Sequence, residues 1–167
     1  MNLTALFRLS YGVYVVSAMD GDRYNGCIAN TVMQVTAEPP ALVVSINKDS
    51  FTYDCIRESG RFSVSVLSEA SNPRLIGAFG FQTGRFHNKF DGVRYEEKDG
   101  LPILSDCCAY VLCNVRDTLD AGSHMLFLAD IVECDHISQE PPMTYDYYHR
   151  VIKGKSPKTA PTYQPEE

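Results

Sequence analysis

Two extended stretches, Cys27 to Thr36 and Ala41 to Ile46, follow one another across a Pro39-Pro40 break and run into Asn47-Lys48-Asp49-Ser50-Phe51-Thr52. No other feature constrains the fold as much, because this order fixes two strands and then hands the chain to a helix. The first stretch reads as one strand, and the second is a short apolar run of the kind that fills a sheet interior. Helical spacing starts at Thr52 and stops at Gly60. A strand that delivers Asn, Lys, Ser and Thr to a helix N-terminus offers backbone N–H groups, hydroxyls and one cation to a single anion. The same residues also allow a plainer reading, in which Asp49 or Ser50 caps the helix.

The rest of the chain is written mostly in period two. Gly12-Val13-Tyr14-Val15-Val16 is β-branched and leads to an Asp20-Gly21 turn signal. Phe62-Ser63-Val64-Ser65-Val66 alternates apolar with hydroxyl. Ala109 to Val115 and His124 to Cys134 read as longer strands, the second beginning just after Gly122. About six strands in all are too many for an open sheet with bare edges, so closure into a small barrel is expected. Helices are few: Asn2 to Leu9, Thr52 to Ser59, Asn72 to Phe79 with an Asn cap and Pro in its first turn, and the aromatic stretch Thr144 to Lys153. Gly154 ends that stretch, and the polar, proline-punctuated tail beyond it reads as a solvated extension. The fold class expected is mainly β with a few helices. The 167 residues read as a single domain with an extended C-terminal tail from about 154.

Charge narrows the partners. A net charge of −6 leaves no broad cationic footprint, which argues against nucleic acid, so any anion site must be local. No apolar run reaches the length of a membrane span, and the N-terminus lacks a basic-then-apolar leader, so a cytoplasmic protein is expected. The six cysteines contain no C-x-x-C pair and read as buried, reduced thiols. Four histidines show no paired ligand spacing, and no metal site is expected. G-x-G-x-x-G and G-x-S-x-G are both missing. Gly154-Lys155-Ser156 imitates the end of a phosphate-binding loop, but His149 stands where its leading glycine belongs, and the segment follows a helix rather than a strand.

Taken in order, the motifs resemble the flavin reductase-like family, an FMN-binding split β-barrel, from Ser10 to about Tyr163. The resemblance runs through Tyr11–Val16, Asn25-Gly26, Ala29-Asn30-Thr31-Val32, Pro39-Pro40, Ser45-Ile46-Asn47-Lys48, Glu58-Ser59-Gly60, Ser63–Leu67, Lys89–Val93 and Gly122-Ser123-His124. Thr144–His149 followed by Lys153–Ala160 is similar to the tail of archaeal ferric reductases and of flavin domains associated with rubredoxin. The resemblance implies FMN as cofactor, with Ala29, Asn30, Thr31, Val32, Ser45, Ile46 and Asn47 at the isoalloxazine and Lys48, Ser50 and Thr52 at the phosphate. Lys89 or Arg85 supplies a second cation. His124 is the implied catalytic residue, on the nicotinamide side, although Ser123 stands where the family carries an acid that can orient the imidazole. NADH or NADPH is the implied co-substrate. Electrons then pass to free flavin, a ferric complex or a rubredoxin-like redox protein, and a homodimer is expected, with the Tyr147-Tyr148 helix and the tail docking at its interface. Two rival readings stay open: a noncatalytic, flavoredoxin-like electron carrier, and a split-barrel binding module without a redox role.

Overall fold

The computed structural model describes residues 1–158 and 160–163, with the side chains of all of these except Leu3 and Thr4; Thr159 of the tail lies outside the described residues. Asp20 and Arg23 close a hairpin over Gly21, which takes the left-handed φ of 57° that such a tight turn asks of glycine. The hairpin joins β1 (Tyr14–Asp20) to β2 (Arg23–Ala29). Next come β3 (Val32–Ala37), β4 (Pro40–Asn47), α1 (Phe51–Ser59), β5 (Arg61–Val66) and α2 (Arg74–Gly80). A small ribbon of β6 (Tyr95–Lys98) and β7 (Leu101–Leu104) precedes the long pair β8 (Ala109–Asp120) and β9 (His124–His136), and α3 (Tyr145–Arg150) follows. A 3-10 helix, Leu3–Arg8, opens the chain. Among the described residues no helix is long and apolar enough to cross a membrane.

Seven strands form one antiparallel sheet in the order β2-β1-β5-β8-β9-β4-β3. Its two edge strands are consecutive in sequence and joined only by Asn30-Thr31. The stretch Cys27 to Thr36, expected as one strand, is therefore two, with the break at these residues. Their polar groups are consumed locally: Thr31 Oγ1 donates to Asn30 Oδ1 at 3.1 Å, and Thr31 O accepts from Ser45 N–H at 3.1 Å. The chain thus leaves β1 as its ladder partner and takes up β4.

Closure gives the sheet an inside and an outside. Val16 and Ala18, Val44 and Ile46, Phe62 and Val64, and Phe127 and Ala129 obey the two-residue period and share one buried cluster with Cys55 and Ile56 of α1. The helix therefore packs one face, Thr52, Cys55 and Ile56, on the inner side of the sheet. Outside, Val15, Leu67, Leu112, Phe79 of α2, Ile103 of β7 and Tyr148 of α3 form a second cluster. The hydroxyls that alternate along β5 do not face water. Ser63 and Ser65 are fully buried; Ser63 Oγ donates to Pro102 O at 2.6 Å, and Ser65 Oγ accepts from Leu104 N–H at 3.1 Å. These two bonds fasten the unexpected β6–β7 ribbon to the outer face.

The caps follow local chemistry. Gly60 ends α1 with φ 68°, and its N–H bonds Ile56 O. Asn72 Oδ1 accepts from Arg74 N–H at 3.0 Å, and Thr144 Oγ1 accepts from Tyr147 N–H at 3.0 Å. The aromatic helix is shorter than its expected span to Lys153: it stops at Arg150, and Lys153 turns left-handed at φ 58°.

Phe62 is fully buried in the inner cluster. Phe62→Ala should cost about 3–5 kcal/mol of stability through the cavity it leaves. In urea titrations this appears as a lower midpoint at unchanged m. A loss below about 1 kcal/mol would show that the interior collapses around the void.

Candidate functional site

Lys48 N–H donates to Ser123 O at 3.0 Å, and Asn47 pairs with His124 across the β4–β9 ladder. That pairing ties the entrance of α1 to the start of β9. Asn47 also folds the entrance itself: its Oδ1 accepts from Asp49 N–H at 2.7 Å, and its O accepts from Ser50 N–H at 3.0 Å. Ser50 takes the N-cap position of α1, but its side chain makes no capping bond. Simple capping therefore does not account for this serine.

Beside this turn lies a cavity of about 1700 Å³. Ala29 and Asn30 from the β2–β3 junction, Ser45, Ile46 and Asn47 from β4, and Ser50 from the cap all line it. Lys89 and His124 line it as well. Thr31, Val32, Lys48 and Thr52, expected with them, stand behind that lining. Val32 pairs with Val44 in the sheet. Lys48 Nζ binds Asp120 Oδ1 at 2.6 Å, and this contact, with the Gly122 N–H, holds the Asp120 carboxyl below the usual carboxylate range. Thr52 is fully buried, and its Oγ1 has no hydrogen-bond partner. Arg85 points elsewhere, to Asp54 at 2.6 Å and over the Phe51 ring.

Lys89 is the cation inside the cavity wall. It is 6% exposed, and its Nζ donates to Gly26 O at 2.9 Å and Phe79 O at 3.1 Å. Burial lowers its pKa, against the opposing pull of the neighbouring Cys27 thiol. Two carbonyl dipoles soften that cost without neutralising the charge, so an anion entering the cavity meets a poorly compensated ammonium. Burial pushes the Cys27 thiol up in turn, with Lys89 opposing. Cys27 lines the cavity and Cys134 is exposed, so neither is the buried core thiol the sequence leads one to expect. Cys55, Cys107, Cys108 and Cys113 are buried, and burial pushes Cys107 and Cys113 up to about 12.

His124 is half-buried at the mouth of β9, where Gly122 makes the turn with φ 89°. Its Nδ1 lies 2.9 Å from Ser123 Oγ. The serine that replaces an acid thus still gives the imidazole an orienting partner.

The opposite wall comes from the tail, which by composition reads as a solvated extension and which the family resemblance places at a subunit interface. The tail lines the cavity from Gly154 to Lys158 and again from Ala160 to Tyr163. Asn30 Nδ2 donates to Thr162 Oγ1 at 3.0 Å, Tyr148 OH donates to Lys155 O at 3.1 Å, and Tyr145 OH lies 2.5 Å from Ser156 Oγ. His149 Nδ1 is 2.9 Å from Gly154 O, and its Nε2 is 3.3 Å from the same Ser156 hydroxyl. Gly154 is required by closeness: a Cβ there would lie 1.9 Å from the Tyr148 ring. The tail is a docked segment rather than an extension into solvent. A glycine five residues after a run of Tyr and His was the local signal of that docking.

The comparisons with known proteins agree with this arrangement. The family model described as flavin reductase like domain matches residues 6–155. The high molecular weight rubredoxin of Moorella thermoacetica is 44% identical over 165 residues, which is 98% of this chain and 72% of that protein. The ferric-chelate reductase (NAD(P)H) of Archaeoglobus fulgidus is 38% identical over 165 residues, 98% of each chain. The solved structure of the flavin reductase PheA2 in its native state has a TM-score of 0.72 at 28% identity, covering 84% of this chain and 88% of that one. A family match over most of the chain, near full-length relatives and a closed antiparallel sheet with the same fold lead to one conclusion: this chain belongs to the flavin reductase like domain family, and its fold is that family's split barrel.

Proposed function

We propose that the cavity holds FMN as a resident cofactor, reduced by NADH or NADPH, and that electrons leave to free flavin, a ferric chelate or a rubredoxin-like protein. The observation that carries this reading is convergence: the β2–β3 junction, the β4–α1 turn, the Lys89 ammonium and His124 all face one cavity. The class of enzyme, an NAD(P)H oxidoreductase, is that of the relatives named ferric-chelate reductase (NAD(P)H) and probable flavin reductase. The Moorella relative's name supports a rubredoxin-like acceptor.

The residues fit the group. An anion at the start of α1 meets N–H groups that the Ser50 side chain does not occupy, together with the favourable end of the helix dipole. We assign the phosphate to Ser50 and this helix end, with Thr52 behind them, outside the lining. Lys89 is favoured as its cation over Lys48, which is engaged by Asp120. Ala29, Asn30 and Ser45 to Asn47 form the edge against which the ring system lies, with Asn30 held in place by Thr31 and Thr162. FMN supplies a two-electron acceptor able to release electrons singly. The chain supplies placement, and the donor and acceptor atoms must come within roughly 3–3.5 Å. His124, oriented by Ser123, serves the nicotinamide side of the cavity.

We also propose a homodimer. Among the described residues the outer edge of β3 has no strand partner, and Met33 and Val35 on it are exposed, as are Leu119 on β8 and Val132 on β9. A second copy is the natural cover for an apolar sheet edge. A cytoplasmic setting accords with cysteines that are all unpaired.

Heat-released flavin should run as FMN. Ser50→Ala combined with Lys89→Met should weaken FMN binding by roughly ten- to a hundredfold, as loss of charge-assisted bonds implies. Ser50→Ala with Lys48→Ala should change it far less. Recovery of FAD alone, or an equal loss in both double variants, would overturn the phosphate assignment.

His124→Ala should slow reduction of bound flavin by NADH or NADPH in anaerobic stopped flow while FMN affinity stays within about twofold, because positioning of the second substrate is what is lost. Wild-type rates in that variant would remove the role. Failure of both nucleotides to reduce the native protein, with rapid reduction by a reduced partner protein, would replace the enzyme by an electron carrier. Sedimentation should return twice the chain mass, and Met33→Lys with Leu119→Lys should return the monomer; a monomeric native protein contradicts the dimer.

A further inference from the structure

Beside the large cavity lies a second pocket of about 470 Å³, lined by Asn2, Ala5, Phe7, Arg8, Asp146 and Arg150. The two adjoin, since Phe7, Arg8, Asp146 and Arg150 line both. The annex combines two guanidiniums, one carboxylate, an aromatic ring and an amide. Arg150 Nη1 lies 3.6 Å from Asp146 Oδ2, with both side chains more than two-thirds exposed. A long, solvated pair of this kind holds its members weakly. Arg8 makes no ion pair among the described residues, so Asp146 leaves a surplus of positive charge here, on a chain whose net charge is −6. Against that background the annex is a local attractor for a small polyanion.

On the reading proposed above, a pyridine dinucleotide puts its nicotinamide beside His124, and its adenosine end must lie elsewhere on the adjoining surface. NADH and NADPH differ only by the 2′-phosphate on that adenosine. Guanidinium forks match phosphate oxygens in geometry as well as charge, the half-exposed Phe7 ring offers a face for a base, and the volume lies within the range of ligand pockets. We infer that the Arg8–Arg150 annex receives the 2′-phosphorylated adenosine of NADPH and makes the chain selective for NADPH over NADH.

The test uses the full-length holoprotein and isothermal titration with 2′,5′-ADP, 5′-AMP and citrate, the last standing for the polycarboxylate of a ferric chelate. We expect 2′,5′-ADP to bind at least tenfold more tightly than 5′-AMP, about 1.4 kcal/mol. Arg8→Gln and Arg150→Gln should each cut that preference severalfold, leaving 5′-AMP affinity and FMN content unchanged. The preference should also shrink as salt is raised. Equal binding of the two nucleotides, or a preference untouched by either substitution, overturns the inference. So does citrate binding more tightly than 2′,5′-ADP in an Arg8-dependent way, which makes the annex a chelate site. Because FMN content is measured on the same samples, a protein without flavin that keeps the nucleotide preference would defeat the flavin reading and not the annex.

Discussion

Two residues between the edge strands of one sheet decide the shape of this protein. With neighbouring strands about 4.8 Å apart, a flat sheet of seven would hold its edges roughly 29 Å from one another. From Ala29 to Val32 the chain has three peptide steps, about 11 Å of reach at most. The sheet therefore has to curl until β2 and β3 meet. Everything else is arranged around that closure. One face of α1 packs on the interior it creates, and the seam leaves Asn30 and Thr31 facing the end of β4, where the Ser45 N–H donates to the carbonyl of Thr31. The cavity sits at this seam because that is where ladder pairing changes hands and polar backbone is available to a ligand.

Placement of charge follows a similar logic of locality. An acidic chain repels anions at long range, yet the walls of its cavities carry Arg8, Lys89, Arg150, Lys155 and Lys158 against only Asp49 and Asp146. Of these, Lys89 matters most because burial removes the solvent that would otherwise screen it. Its two carbonyl acceptors come from β2 and the last turn of α2, so the same contacts that fix the ammonium also fix α2 against the sheet edge. Lys48, two residues before the cap, looked the better candidate in sequence. It lies beyond the end of β4, where its side chain meets Asp120 across the β8–β9 turn.

Much of this architecture was legible from residue patterns alone. Period two located β1, β4, β5, β8 and β9, and Gly60 marked the end of α1. The seam was not legible, because Cys27 to Thr36 keeps an unbroken extended pattern with no Gly or Pro at Asn30-Thr31 to announce a change of partner. The β6–β7 ribbon was missed for the opposite reason: Pro102 and two glutamates argue against a strand, and what holds it is tertiary, the burial of Leu101, Ile103 and Leu104 together with the bonds from the Ser63 and Ser65 hydroxyls. Of the expected site, the residues facing the cavity were found by resemblance to a family pattern rather than by spacing. Alternation along a strand says which residues share a face, but it does not say which face meets a helix, a ribbon or a ligand.

The two walls of the cavity are also held by different physics. One is sheet and helix N-terminus, bound by continuous ladders and the inner apolar cluster, and it opens only with global unfolding. The other is the tail, held by a handful of side-chain contacts from Tyr145, Tyr148, His149 and Asn30. Such contacts are each worth about 0.5–1.5 kcal/mol, so the tail wall can part from the sheet wall at a small fraction of the stability of the fold. A cavity that must bury a cofactor and still admit a second substrate needs that asymmetry. On the proposed reading the chain supplies it by building one side into the barrel seam and leaving the other to the tail anchored at Gly154.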